Sequence, residues 1–189
     1  QLGADVKLLI VIAPDKSIYQ SHSEYLGVSS FSKTNTDRFL DLCRQNGVAC
    51  LDLREWVTGD DMYFRTDHHW TIRSAFIAYQ KVTEWLASQG LKSYLANAAT
   101  DLANYKVQME QSCFLGSIGR RTGRFYSGVD DFEWLMPNFE TQMRLVTTSS
   151  EGKLEERAGP FETVIFRSGY LESTDIESNR YACYFGGDD

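Results

Sequence analysis

The sequence predicts an α/β protein with a mainly parallel, layered sheet. A continuous apolar, β-branched run at residues 6–13 ends at Pro14 and is typical of a strand buried on both faces. The segment TNTDRFLDLCRQNG, residues 34–47, has the apolar spacing of a helix and ends at a glycine. VACLDL, residues 48–53, then alternates and indicates a second strand. This order of strand, helix and strand favours a layered sheet.

A second helix is predicted over roughly residues 72–88. Thr71 has the side chain of an N-cap, apolar residues recur at helical spacing, and Gly90 ends the pattern. The preceding segment YFRTDHHW, residues 63–70, therefore lies on a loop between the second strand and a helix start. In open α/β sheets, ligands usually bind at such loops.

The second half of the chain changes character near Asn104, where helical periodicity fades. Four segments look like strands separated by turn residues. They are YKVQMEQSCFLGS (105–117), TQMRLVTTSS (141–150), FETVIFRSGY (161–170) and RYACYFGG (180–187). We therefore divide the chain into an α/β portion, 1–103, and a β-rich insertion or subdomain, 104–189.

The composition excludes several classes of function. The formal net charge is -7 and the only basic cluster is the short segment GRRTGR, residues 119–124, so no nucleic-acid partner is predicted. We interpret that segment as a solvated turn, with a polyanionic sugar as an alternative ligand. No apolar run reaches the roughly 18–20 residues of a membrane helix.

The four cysteines do not form a metal-binding pattern. Cys43, Cys50, Cys113 and Cys183 lack C-x-x-C spacing and lack histidine neighbours, which argues against a zinc site. We interpret them as buried free thiols. Disulfide pairing in an exported protein is the alternative.

Spacing alone leaves three interpretations of the segment YFRTDHHW. In a catalytic dyad, one histidine is the general base and Asp67 orients its ring. In a metal site, Asp67, His68 and His69 are ligands; adjacent side chains are expected to diverge, and the remaining histidine, His22, has no motif around it. In the third interpretation, these are polar loop residues that cap a helix.

A resemblance to a known family favours the dyad. YFRTDHHWT followed by AFIAY resembles the signature of bacterial DHHW-motif proteins, which are similar to the alginate O-acetyltransferase group of the SGNH hydrolase-like superfamily. LLIVIAPDKSIY (8–19), FLGSIGRRTG (114–123) and the terminal RYACYFGGDD also resemble landmarks of these proteins. The resemblance implies an SGNH hydrolase-like α/β/α sheet of permuted order, in which the aspartate and histidine precede the serine and which is incomplete here.

The resemblance assigns unequal roles to the two histidines. The family pattern is Asp-x-His, so Asp67 matches the triad aspartate and His69 the triad histidine. His68 then occupies the variable position. Trp70 matches the family tryptophan, for which packing that orients the loop is favoured over sugar stacking.

Three further motif residues are supporting candidates. Arg65 is a candidate for contacting acyl or sugar oxygens, and Thr66 could support the dyad or line the cleft. Tyr63 has the same ambiguity, with core packing favoured.

The serine of the triad is missing from the sequence. The chain contains neither Gly-Asp-Ser nor Gly-Thr-Ser nor Gly-x-Ser-x-Gly. Ser117 and Ser168 lack the expected context. The resemblance places the nucleophile shortly after the terminal landmark, beyond Asp189.

The resemblance therefore implies an extracytoplasmic carbohydrate O-acetyltransferase or acetylesterase with a Ser-His-Asp triad, inactive as this chain alone. A saccharide, such as a polysaccharide, would accept an acetyl group from an unidentified donor, no metal or organic cofactor would be required, and other proteins of an envelope complex are candidate partners. The alternatives are a non-catalytic polysaccharide-binding or envelope-assembly module of the same fold and a metal-dependent hydrolase. The chain carries no signal peptide, so secretion or envelope association is likewise an implication of the resemblance.

Overall fold

The chain divides into two units, which meet in sequence inside the histidine motif. The computed structural model describes residues 6–14, 16, 32–91, 97–149 and 151–161. Unit 1 comprises Gln1–Phe64 and His68–Tyr94, and unit 2 comprises Arg65–Asp67 and Leu95–Asp189. The chain therefore passes into unit 2 and back again inside the histidine motif. The division predicted between residues 103 and 104 stays a prediction.

Unit 1 begins with the predicted strand, helix and strand. Strand β1, Leu9–Ile12, pairs in parallel with β2, Ala49–Asp52, and helix α1, Ser32–Gln45, precedes β2. Gly47, at φ 66°, ends the helix, because its left-handed conformation reverses the chain toward β2. These three elements are confirmed.

Strand β1 is shorter and more exposed than predicted. Leu8 is 51% exposed and Val11 39%, although a strand buried on both faces was expected. Within the described residues β1 has one hydrogen-bonded neighbour, β2, and a strand with a single neighbour keeps more surface open to solvent.

Helix α2, Ile72–Ser88, lies where the sequence predicts it. The Thr71 hydroxyl oxygen accepts a 3.4 Å hydrogen bond from the Ser74 amide, and Gly90 follows the helix at φ 70°. Leu53 and Val57 are both fully buried and belong to the core of unit 1. Within the part of the chain described, no helix is both long and apolar enough to cross a membrane.

Unit 2 is built on two antiparallel strand pairs. β3, Tyr105–Phe114, pairs with β4, Asp130–Pro137, and β5, Met143–Thr148, pairs with β6, Leu154–Gly159. The predictions for β3 and β5 are confirmed, whereas β4 and β6 were not predicted. The expected strand at 161–170 lies outside the described residues beyond Phe161, and the one at 180–187 lies outside them entirely.

The prediction of a turn at the basic segment is wrong. Residues 117–127 instead form two short helices, α3, Ser117–Thr122, and α4, Arg124–Ser127, separated by Gly123. The segment is nevertheless solvated, since every residue from 120 to 126 is exposed. Helix α3 begins directly after β3, whose last residue, Phe114, packs its ring against Phe132 of β4 with centroids 5.5 Å apart.

Candidate active site

The flanks of the histidine motif pair with each other. Tyr63 and Trp70 form an isolated antiparallel bridge, and the Phe64 amide donates a 3.1 Å hydrogen bond to the His69 carbonyl. Backbone hydrogen bonds between residues this close in sequence make a tight loop. The loop places residues 65–67 at its tip.

Two residues that follow β1, Pro14 and Lys16, contact the start of the motif. The Tyr63 hydroxyl donates to the Pro14 carbonyl at 2.9 Å, and the Lys16 ammonium donates to the Phe64 carbonyl at 2.7 Å. Tyr63 is 5% exposed, so its ring packs in the core and its polar end is satisfied there. Trp70, in the bridge, is half-buried.

The tip of the loop is held by a carboxylate that the sequence did not single out. Oδ2 of Asp130 accepts hydrogen bonds from the amide and the hydroxyl of Thr66, at 2.7 and 2.6 Å. Oδ1 accepts from the Arg65 amide at 3.2 Å. Thr66 has no exposed surface and the Asp130 side chain is 13% exposed, so these bonds are shielded from water.

The start of α3 completes the network around the tip. The Gly116 amide donates to the Thr66 hydroxyl oxygen at 2.9 Å, and the Gly119 amide donates to the Thr66 carbonyl at 2.8 Å. The Ser117 amide donates to Oδ2 of Asp67 at 2.6 Å. Asp67 is fully buried, and a hydrogen bond to its carboxylate stabilises the side chain there in one orientation.

Two glycines make this close approach possible. A Cβ atom at Gly116 would overlap the Asp67 side chain. One at Gly119 would lie 2.6 Å from Leu115 Cδ1 and 2.8 Å from Thr66 Cβ. Both distances are shorter than carbon atoms tolerate, so the backbone of α3 reaches Thr66 and Asp67 only because these positions lack side chains.

The side chains of Asp67, His68 and His69 converge. The two imidazole rings have centroids 4.0 Å apart, and one carboxylate oxygen and one nitrogen of each ring lie within 4.8 Å of one another. The expectation that adjacent side chains diverge is therefore wrong for this tripeptide. Asp67 is buried, His69 half-buried and His68 exposed, so His69 is the more shielded of the two histidines.

The convergence of Asp67, His68 and His69 is compatible with two kinds of chemistry. A carboxylate beside a half-buried imidazole can orient that ring for proton transfer. The same three side chains also offer one metal-ligand atom each. Imidazole and carboxylate are ligands that zinc and other transition metals accept.

Arg65 lies at the exposed edge of this network, with its Nε 4.0 Å from Oδ1 of Asp130. Its side chain is 65% exposed, and its guanidinium donates to the Val129 carbonyl at 3.1 Å. Gly128, at φ 70°, leaves room for this guanidinium. The role predicted for Arg65 on acyl or sugar oxygens stays a prediction.

The cysteines in the described residues are free thiols. These are Cys43, which is buried, and Cys50 and Cys113, which are half-buried. Burial raises the pKa of the Cys50 thiol, and its contact with Cys43 acts in the same direction. Cys183 lies outside the described residues, as do His22 and Ser168.

The sequence marks the motif but not the residues that support it. Asp130, Gly116 and Gly119 were not predicted as site residues. The segment FLGSIG was noted as a family landmark, and that landmark contains both glycines. Asp130 carries no comparable signal, since its partner Thr66 is 64 positions away.

Comparisons with known proteins agree with this fold. The family model described as "SGNH hydrolase-like domain, acetyltransferase AlgX" matches residues 3–156. The structure of Bacillus cereus PatB1 is similar, with a TM-score of 0.67 at 18% identity, covering 95% of this chain and 58% of that chain. The O-acetyltransferase domain of Pseudomonas putida AlgJ matches with a TM-score of 0.48 at 21% identity, covering 69% of this chain and 49% of that chain. No curated protein matches the sequence.

The chain thus spans less than two thirds of the PatB1 structure and about half of the AlgJ domain. The family match covers most of the chain and confirms both the predicted SGNH hydrolase-like α/β fold and the resemblance to alginate O-acetyltransferase-like proteins. The chain belongs to the family of SGNH hydrolase-like domains of the acetyltransferase AlgX type.

Proposed function

We propose that the intact protein transfers acetyl groups to or from a carbohydrate, with Asp67 and His69 as two members of a Ser-His-Asp triad. The observation that carries the proposal is the environment of Asp67. Its carboxylate is fully buried, accepts a hydrogen bond from the Ser117 amide and lies within 4.8 Å of ring nitrogens of the adjacent histidines. Membership of an acetyltransferase family gives this carboxylate and imidazole a matching chemistry.

The reaction is a two-step acyl transfer. His69 removes the proton of a serine hydroxyl, the serine oxygen attacks the carbonyl of the acetyl donor, and the protonated histidine gives its proton to the leaving group. A saccharide hydroxyl, deprotonated by the same histidine, then attacks the acetyl-serine ester; the serine oxygen leaves and takes the proton back from the imidazolium, which restores the free serine and the neutral histidine. Water takes the place of the saccharide in an esterase. Asp67 stabilises the imidazolium that forms in each step.

The serine is assigned to a segment beyond residue 189. In the family that the chain resembles, the nucleophile follows the segment similar to the terminal landmark, and the chain covers 58% of the similar PatB1 structure; both observations support this assignment. We assign the intact protein to a secreted or envelope-associated location, where polysaccharides are found.

The histidine assignment is tested on the intact protein with p-nitrophenyl acetate. His69→Ala is expected to abolish release of p-nitrophenol, because it removes the base. His68→Ala is the matched control and is expected to have the milder effect, since His68 occupies the variable position of the Asp-x-His motif. Equal loss in both variants would contradict the assignment.

The location of the serine is tested by covalent labelling. A fluorophosphonate should label the intact protein at a serine beyond residue 189, and peptide mapping by mass spectrometry identifies the position. Labelling at Ser117, whose amide already bonds to Asp67, would contradict the proposal.

A second candidate function is saccharide binding without catalysis. It is favoured by the exposed segment 120–126, in which Phe125 is 90% and Tyr126 84% exposed beside Arg120, Arg121 and Arg124. Aromatic rings stack on sugars, and arginine binds carboxylates. This candidate requires that the intact protein bind a polysaccharide, lose that binding when the three arginines become alanine, and release no acetate.

The convergence of Asp67, His68 and His69 also favours, as a third candidate, a metal-dependent hydrolase. Elemental analysis of the purified intact protein separates it from the first. Stoichiometric zinc or manganese, together with activity that is lost on chelation, would replace the triad mechanism.

A further inference from the structure

We propose that Asp130 is a positioning residue for the histidine motif. Its carboxylate fixes Thr66, and through Thr66 it sets the place where the Ser117 amide meets Asp67. The inference rests on the proposed role of Asp67 in acyl transfer. It concerns residues brought together within unit 2, which contains both the loop tip and the strands.

The hydrogen bonds around Thr66 run in one direction. The Thr66 hydroxyl donates its proton to Asp130 at 2.6 Å, so its oxygen lone pairs remain to accept the Gly116 amide at 2.9 Å. The Thr66 amide donates to the same carboxylate oxygen at 2.7 Å. The hydroxyl also lies 3.5 Å from the Phe114 carbonyl, a much longer contact, so the 2.6 Å bond to Asp130 is the stronger one and sets which way the hydroxyl points. The hydroxyl oxygen in turn sets where the Gly116 amide lies.

This network controls Asp67 because Gly116 and Ser117 are consecutive. The Gly116 amide bonds to Thr66 and the Ser117 amide bonds to Asp67, so one short piece of backbone carries both contacts. Because Gly116 has no side chain, its backbone lies directly against Asp67, where a Cβ atom would overlap. A displacement at Thr66 is therefore transmitted to the donor that orients the Asp67 carboxylate.

Because the network is buried, it is sensitive to the loss of a single hydrogen-bonding atom. Thr66 and Asp67 have no exposed surface, so water does not replace a lost partner there. A buried donor without an acceptor is costly, and the chain relieves that cost by moving the loop. Since catalysis depends on sub-ångström placement of reacting groups, such movement lowers the rate more than it lowers substrate binding.

The test compares two variants that break the network with two that do not. Thr66→Val removes the hydroxyl and keeps the branched shape, whereas Thr66→Ser keeps the hydroxyl. Asp130→Asn alters the carboxylate. Its matched control is Asp131→Asn, because Asp131 follows in the same strand and accepts a 2.7 Å bond from the Ser112 amide, away from the motif.

Kinetics of the intact protein with p-nitrophenyl acetate give the first readout. Thr66→Val and Asp130→Asn are expected to lower kcat by about tenfold to 100-fold with KM nearly unchanged. Thr66→Ser should recover most of the rate, and Asp131→Asn should match the parent protein. Wild-type kcat in both Thr66→Val and Asp130→Asn would overturn the proposal, and so would an equal loss in Asp131→Asn.

The amide proton of Ser117 gives a readout that is independent of activity. In intact protein labelled with ¹⁵N-serine, its resonance should lie downfield, as expected for a short bond to a carboxylate, and should move upfield in Thr66→Val. An unchanged resonance would overturn the proposal. If Asp130→Asn does not fold, Thr66→Val decides, because it leaves the carboxylate in place.

These readouts separate failure of the inference from failure of the proposed function. Wild-type activity in His69→Ala would reject the triad, while the Ser117 resonance would still report whether Thr66 positions that amide. Loss of activity in His69→Ala with full activity in Thr66→Val and Asp130→Asn would keep the triad and reject the positioning role.

Discussion

The turn after β2 and the tip of the motif loop use the same interaction over very different distances along the chain. In the turn, Oδ1 of Asp52 accepts a hydrogen bond from the Arg54 amide, two positions away. At the tip, Asp130 binds the Thr66 amide 64 positions away, and Asp67 binds the Ser117 amide 50 positions away. A short peptide can form the first contact, whereas the others exist only in the folded unit. The residues nearest the proposed chemistry therefore depend on the long-range contacts.

Among these predictions, Gly116→Ala is expected to have the largest effect, because it disrupts the long-range contact between the start of α3 and Asp67. The added Cβ would overlap Asp67, so we expect a loss of about 2 kcal/mol in the free energy of unfolding, as for other overpacked sites. Urea denaturation monitored by circular dichroism measures it. Ser117→Ala is the control, because it keeps the amide and adds no atoms. Equal stability of Gly116→Ala and the parent protein would show that the loop has room to move.

The local contact between Asp52 and Arg54 is tested by measuring stability as the pH is lowered. Hydrogen bonds from the Arg54 guanidinium, at 2.6 to 3.0 Å, hold the pKa of Asp52 below its ordinary value. A lowered carboxyl pKa adds stability above its ordinary value of about 3.9, and this stability is lost as the pH falls through the lower folded value. Removing the ion pair in Asp52→Asn should cost roughly 1.5 kcal/mol at pH 7.

The difference in unfolding free energy between Asp52→Asn and the parent protein should therefore shrink as the pH falls below about 4. Asp41→Asn provides the comparison, because Asp41 pairs with Arg44 on the surface with side chains 59% and 75% exposed. Its effect should be small at every pH. A difference for Asp52→Asn that stays constant down to acid would contradict the stated cause.

The smallest expected effect is at the N-cap of α2. Thr71→Ala removes the acceptor of the Ser74 amide and should lower the free energy of unfolding by about 1 kcal/mol. Thr71→Ser should recover most of it. Because this cap is local, the resonance of the Ser117 amide should not move. A shift as large as that in Thr66→Val would contradict the claim that the cap is independent of the long-range network.

Local patterns made part of the fold predictable. Helix α2 has its N-cap and its terminal glycine within a few residues of the apolar pattern, and α1 ends at Gly47 for the same reason. Strand β6 was missed because its residues, LEERAG, are almost all exposed and carry no apolar alternation. Strand β4 does alternate, with Phe132 and Trp134 buried, but it begins with two aspartates and ends in a proline, which suggest a turn.

The site was predictable only where it is formed by residues that are adjacent in the sequence. The motif and its family resemblance singled out Asp67 and His69, whose roles stay predictions. Asp130 could not be found in this way, because an aspartate at the start of a strand is ordinary and nothing nearby in the sequence marks its partner. The convergence of neighbouring histidines was also missed, since it depends on a loop closed by the Phe64 amide and the His69 carbonyl.

The distance along the chain between Thr66 and Asp130 also sets an order of events during synthesis. The ribosome adds the carboxylate that holds the motif 64 residues after the threonine it binds. Until β4 has been made, Thr66 and Asp67 exchange hydrogen bonds with water, and the motif has its chemical groups without their arrangement. A truncated gene that stops after α2 would therefore encode the whole Asp-His-His-Trp motif but none of Gly116, Ser117 and Asp130, which hold the tip of its loop.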